Sequence, residues 1–235
     1  MKVVVLTGAG ISAESGLPTF RDSAGLWEGH RPEEVATPEA FAADPDRVLR
    51  FYDLRRQTLA RVEPNAAHHA LARLEEALGP DLFLVTQNVD DLHERAGSRQ
   101  VHHLHGRLSS AWCRACDARM SWTGTLADRP PCPACGRPEL RPDIVWFGEA
   151  PYEVDAVHAA LHECDLFAAI GTSGTVYPAA AYVHYALAVG ARTVDLNLRP
   201  SVPSDFDESR VGPASDVVPA WVDELLGGPS TGHVR

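Results

Sequence analysis

Three short runs of continuously apolar residues, at 3–6, 82–85 and 166–170, and a similar run at 193–196 interrupted by Asp195, limit what this chain can fold into more than any other feature. A strand with one wet face alternates apolar and polar residues. A strand apolar throughout is buried on both faces, as in a parallel sheet covered by helices on both sides. The segments between the runs supply those helices. Asn65 is placed to cap a helix over 66–78, with Ala70, Leu71 and Leu74 on one face and Gly79-Pro80 as its stop. The stretch 38–62 reads as helical with an interruption near Pro45, and 152–164, 178–189 and 216–226 complete the set. At 235 residues the chain can bury one large core with a small appendage, and no internal repeat is present.

Two stretches break the rhythm. Residues 16–38 are rich in Gly, Pro and charge where a second strand is expected, which predicts a long functional loop. Residues 106–142 carry Cys113-x2-Cys116-x15-Cys132-x2-Cys135 and little periodicity, which predicts an inserted small unit. That spacing fits a four-thiolate zinc ribbon. Two CxxC pairs place four sulfurs at tetrahedral positions, a closed site with no open position for water, so the role expected of the metal is structural. Redox pairs or free thiols are the alternative on the same spacing. The fifth cysteine, Cys164, reads as a small buried hydrophobe.

The first apolar run leads into Gly8-x-Gly10-x-x-Ala13. This is either a plain glycine turn or a dinucleotide turn, in which the first Gly allows the bend, the second lets the backbone approach a pyrophosphate and a small third residue permits close packing. A hydride-transfer enzyme would follow it with a second strand ending in an acidic residue about 20 positions on. No apolar strand precedes Glu28, so the usual dehydrogenase architecture is not expected.

The net charge of −11 disfavours a general nucleic-acid binder. The six arginines between 107 and 141 are offset by Asp117, Asp128, Glu139 and the thiolates. No segment reaches the roughly 18 uninterrupted apolar residues of a membrane span, and the apolar start is too short for a signal peptide. The expectation is a cytoplasmic monomer with no membrane or nucleic-acid partner; the paired cysteines fit a reducing compartment.

Taken together, Gly8-Ala9-Gly10-Ile11-Ser12, Pro18-Thr19-Phe20-Arg21, Thr86-Gln87-Asn88-Val89-Asp90, His105-Gly106, the four cysteines, Phe147-Gly148-Glu149, Gly171-Thr172-Ser173 and Asn197-Leu198 resemble the sirtuins, the NAD-dependent protein deacylases. The blocks occur in family order along nearly the whole chain. The resemblance implies an α/β fold with a Rossmann-like, doubly wound parallel sheet formed by 1–30, 63–106 and 142–227. A smaller unit would combine a helical module at 31–62 with the zinc ribbon at 107–141, leaving 228–235 as a flexible tail.

It also implies the chemistry. In a sirtuin the acyl-lysine carbonyl oxygen attacks the anomeric carbon of the nicotinamide ribose, nicotinamide leaves, and an imidazole then acts as general base on a ribose hydroxyl, so NAD is consumed. By the family block that imidazole is His105, although His102 and His103 stand beside it and any of the three could be a half-buried strand residue. Asn88 and Asp90 match the nicotinamide pocket, and Gln87 faces the ribose. Gly8, Ala9, Gly10, Ser12 and Arg21 would hold the phosphates and cover the cofactor, with Phe20 shielding the ribose and Trp27 in the same loop. Gly171, Thr172 and Ser173 end a strand where α/β sheets bind ligands. Asn197 would reach the adenosine ribose and Ala214 the adenine. The family usually has an acidic residue after Asn-Leu, where this chain has Arg199.

Val145, Phe147, Gly148 and Glu149, facing Gly174-Thr175-Val176, resemble the two edges between which an acyl-lysine peptide adds as a strand, giving affinity through the backbone with little sequence preference. Tyr52 and Arg55, three apart on one helix face, resemble with Ala24 the class whose acyl pocket takes negatively charged groups. A guanidinium forks onto a carboxylate, a tyrosine adds a hydroxyl, and alanine leaves room. Outside that resemblance the arginine of Phe51-Tyr52-Asp53-Leu54-Arg55-Arg56 would belong to a solvated helix face. The expected activities are therefore deacetylase, desuccinylase and demalonylase. Mono-ADP-ribosyl transfer and a non-catalytic NAD-sensing module are the alternatives.

Overall fold

The structure, a computed structural model, describes residues 1–19, 29–199 and 205–227. Phe20, Arg21, Ala24, Trp27 and the tail at 228–235 lie outside the described residues.

The first half of the chain runs β1 (Val3–Thr7), α1 (Ala9–Ala13), α2 (Pro32–Val35), α3 (Pro38–Ala43), α4 (Pro45–Leu59), α5 (Ala66–Leu78), β2 (Leu82–Thr86), α6 (Leu92–Ala96) and β3 (Val101–His103). There follow β4 (Gly106–Cys113), β5 (Arg119–Ser121), β6 (Leu140–Ile144), α7 (Val154–His162), β7 (Leu166–Ile170), α8 (Tyr182–Ala188), β8 (Arg192–Asn197), β9 (Glu208–Val211) and α9 (Ala214–Leu225). The helical stretch predicted for 38–62 divides at Asp44-Pro45 and ends at Leu59. Thr37 and Asp44 cap the two pieces by accepting the Ala40 and Arg47 amides, and a proline follows each cap, where its missing N–H costs nothing.

Six strands form one wholly parallel sheet in the order β3-β2-β1-β7-β8-β9. Numbered along the chain these six run 3-2-1-4-5-6, the doubly wound order, and the winding reverses between β1 and β7. The apolar strands predicted from the sequence are the four at the centre. Helices α5 and α9 cover one face, over Val3, Val5, Leu84, Ala168 and Val194. On the other face α7 and α8 cover Val4, Leu6, Phe167 and Ala169. A second, antiparallel sheet, β5-β4-β6, shares a separate core with α2, α3 and α4 around Tyr52, Phe41 and Trp146.

Cys164 is buried in the α7–α8 core and donates to the Leu161 carbonyl. Among the described residues no helix is long and apolar enough to cross a membrane.

Candidate active site and zinc centre

At the winding reversal the turns after β1 and β7 meet backbone to backbone. A Cβ on Gly10 would stand 2.7 Å from Gly171 Cα, and one on Gly171, whose φ is +60°, would stand 2.4 Å from the Ile11 amide nitrogen. Only glycine allows this approach. The Gly10 amide donates to the Gly171 carbonyl at 2.8 Å, locking the two turns.

Beside them opens a cavity of about 930 Å³, large enough for a dinucleotide. Gly8, Ala9, Gly10, Gly171, Thr172 and Ser173 of these two turns line it together. Gln87, Asn88 and His105 enter from the ends of β2 and β3. Asn197 and Ala214 come from the carboxyl end of β8 and the start of α9, and Arg199 follows Asn197 on the lining. Val145, Phe147, Gly148 and Glu149 also line the cavity, as do Thr175 and Val176. Thr172 is clasped from two sides, its carbonyl accepting from Asn197 Nδ2 at 2.6 Å and its hydroxyl from Gln87 Nε2 at 3.3 Å.

The three neighbouring histidines have three different environments. His102 stacks on Phe83 and contacts Glu153 at the sheet edge. His103 is buried between the Asn88 carbonyl and Glu94. His105 alone lines the cavity. Its Nδ1 lies 2.9 Å from the Gln87 carbonyl oxygen, which can only accept, so Nδ1 carries the proton and Nε2 keeps the lone pair. Burial pulls its pKa below the ordinary histidine value, against the opposing pull of the Gln87 carbonyl. A neutral imidazole with a basic nitrogen in a dinucleotide-sized cavity can take a proton near pH 7.

Ser12, expected among the phosphate contacts, lies instead behind the lining with Asp90, both buried. The Ser12 hydroxyl donates to Asp90 Oδ2 at 3.0 Å and accepts Asn88 Nδ2–H at 3.1 Å. Burial raises the Asp90 pKa, the Leu92 amide and Ser12 opposing it. Glu149 lines the cavity with both oxygens occupied, since Arg141 grips it bidentately at 2.7 and 3.0 Å and the Trp146 amide adds a bond at 2.8 Å. It pins the loop that carries Val145 and Phe147.

Tyr52 and Arg55 share a face of α4, and neither is on the cavity lining. Tyr52 is fully buried, and Trp146 Nε1 donates to its hydroxyl at 3.0 Å; Arg55 is half-buried, 5.9 Å from the Phe51 ring centroid. Trp146 does line the cavity and so stands between it and Tyr52. Sequence reasoning passed over Trp146, although Val145 and Phe147 flank it.

The four ribbon cysteines converge, with all their Sγ atoms within 4.8 Å of one another. The Cys113–Cys135 and Cys116–Cys132 separations are 3.7 and 3.8 Å. Sulfurs at 2.3 Å from a tetrahedral zinc stand about 3.8 Å apart, so the cluster fits one zinc ion. The two knuckles repeat each other. The amides of Asp117 and Gly136, both at positive φ, donate to the carbonyls of Cys113 and Cys132.

A wholly parallel doubly wound sheet, a glycine turn at its reversal and a cluster of four cysteines that fits zinc define a dinucleotide-binding α/β protein with an inserted metal unit. The Sir2 family model matches residues 8–178, and the chain belongs to that family. It is 55% identical to an NAD-dependent protein deacylase of Salmonella typhimurium, over 97% of this chain and 85% of that one. Among solved structures it is similar to a Sir2 homologue in complex with NAD (TM-score 0.87, 40% identity, 96% of this chain and 90% of that one). It is also similar to Sir2 bound to a p53 peptide and NAD+ (TM-score 0.79, 29% identity, 96% and 93%).

Proposed function

We propose that this protein is an NAD-dependent protein-lysine deacylase that passes the acyl group of an acyl-lysine to ADP-ribose and releases nicotinamide. The observation that carries this reading is the tautomer of His105, held by Gln87 with its basic nitrogen free in the cavity at the winding reversal. A binding module needs no such base. NAD supplies the electrophilic ribose carbon and is consumed.

The chain's own residues divide the remaining work. The turn Gly8-Ala9-Gly10 takes the phosphates, Asn197 and Ala214 the adenosine, and Gln87 the ribose. Asn88 and Asp90, backed by Ser12, take the nicotinamide end. His105 Nε2 accepts a ribose hydroxyl proton. The peptide is read as an added strand between the Val145–Phe147–Gly148 edge and Thr175–Val176, with Glu149 pinning the first edge. On α4, Tyr52 and Arg55 stand outside the lining, Tyr52 behind Trp146, and the acyl-group role proposed for them rests on their residue types and shared helix face, with Arg55 suiting malonyl and succinyl carboxylates. The −11 charge disfavours nucleic acid, and cysteines paired for zinc suit a reducing compartment, so the protein is read as a cytoplasmic, monomeric enzyme that acts on acyl-lysine proteins.

The test is incubation with acyl-lysine peptide and NAD labelled in its adenylate half. The reading expects the label in free acyl-ADP-ribose. Label retained on protein would instead establish ADP-ribosyl transfer, and no turnover on any acyl peptide would leave a sensor.

A further inference from the structure

Behind the nicotinamide end lies a buried histidine that the reaction as described does not use. His68 is the third residue of α5 and is fully buried. Its Nδ1 accepts the Asn65 backbone N–H at 3.3 Å, completing a capping box with the Asn65 side chain, which accepts the Ala67 amide. A ring nitrogen that accepts has no proton, so the proton of the neutral ring sits on Nε2. Nε2 lies 3.4 Å from the Ser12 hydroxyl oxygen. Burial lowers the His68 pKa to about 4, so the ring is neutral and this tautomer is the one present.

The Ser12 hydroxyl then has no rotational choice. Its oxygen has two lone pairs and one proton. Asn88 Nδ2–H and His68 Nε2–H fill the lone pairs, and the proton goes to Asp90 Oδ2. The same cap holds the glycine-turn helix in register, since Asn65 Nδ2 donates to the Ile11 carbonyl at 2.7 Å and to Ser15 Oγ at 3.0 Å. A capping box ordinarily has Glu or Gln at this third position. Glutamate would accept the Asn65 amide, yet it would give Ser12 no donor and would set a second carboxylate near Asp90.

We propose that His68 is a positioning residue for the nicotinamide end of the cavity, acting through the Ser12 hydroxyl to fix the orientation of Asp90. This rests on the deacylase reading in taking Asn88 and Asp90 as the nicotinamide site. The fold alone would need only the cap.

The contrast between NAD and ADP-ribose tests it, because ADP-ribose lacks the nicotinamide. Dissociation constants for both are measured by calorimetry on the whole chain, alongside thermal stability, for wild type, His68→Ala, His68→Gln and Val157→Ala. Val157 is buried on the opposite face of the sheet, so its truncation is a control for stability loss alone. His68→Ala is expected to weaken NAD about tenfold while leaving ADP-ribose within about twofold. Gln, which can accept from Asn65 and donate to Ser12, is expected to restore most of the NAD affinity. Equal losses for the two ligands, no loss in His68→Ala, no rescue by Gln, or the same NAD-specific loss in Val157→Ala would overturn the assignment. Should wild type bind NAD yet release no nicotinamide with acyl peptides, the deacylase reading fails, and the binding contrast still decides the role of His68.

Discussion

The Nδ1 nitrogen of His105 lies 2.9 Å from the Gln87 carbonyl oxygen, and the Gln87 amide in turn donates to the Thr7 carbonyl at the end of β1. The imidazole is thus tied through one residue to the central strand of the sheet, and its tautomer follows from the path of the backbone. Burial favours the neutral ring, so the pKa is below the ordinary value of about 6.5. The base works unprotonated, so kcat/KM should rise with pH through an acid limb whose midpoint lies below about 6.5, then stay flat through neutrality. A pH–rate profile with its midpoint at or above that value would contradict this environment for His105.

Gly106 follows His105 at φ +78°, and a Cβ there would stand 2.0 Å from the Asp143 carbonyl oxygen. Backbone cannot yield as a flexible side chain tip can. Gly106→Ala should therefore shift the turn that holds His105, costing about 3 kcal/mol or more and lowering turnover more than NAD affinity. Thermal denaturation and steady-state kinetics check both parts.

Zinc should bind one ion per chain, measured by atomic absorption. Cys113 and Cys132 are buried in the core that also holds Tyr52, Phe41 and Trp146, so losing the ion unties the unit that carries α4. Chelation or Cys132→Ser should lower the melting temperature by roughly 10 °C or more and abolish turnover. Unchanged stability after verified metal removal would contradict a structural role.

Arg55→Met should reduce kcat/KM for succinyl-lysine peptides roughly 10- to 100-fold, the usual worth of a charge-assisted hydrogen bond, and change acetyl-lysine turnover little. Equal losses on both peptides would remove the carboxylate-recognition role.

Much of this molecule is legible in its sequence where one physical cause dominates. The four central strands are buried on both faces and so read as apolar runs, broken in β8 by the buried Thr193 and Asp195, and Asn65 marks the start of α5. The edge strands escape because one side meets solvent and their residues are polar, as in Glu208 and Arg210 of β9 or His102 of β3. Strand β6 is hidden for another reason. Its Arg141-Pro142-Asp143 is buried because Glu149 satisfies the arginine while Ser110 and Tyr152 donate to the aspartate, partners in a following loop and on β4 that no strand pattern reveals. In the candidate site the glycines are legible because close backbone approach admits nothing else. Trp146 and His68 are not, since their positions depend on contacts with Tyr52 and Ser12 far along the chain.

The role proposed for His105 is that of the base in a deacylase that consumes NAD. Its most direct measurement is nicotinamide release with acetyl- and succinyl-lysine peptides, in wild type and His105→Ala, with deacylated peptide counted in the same samples. The expected outcome is one nicotinamide per deacylated peptide in wild type, no release above background without peptide, and at least a roughly 100-fold loss of deacylated peptide in His105→Ala. Release that ignores the peptide, or deacylation undiminished in His105→Ala, would contradict it.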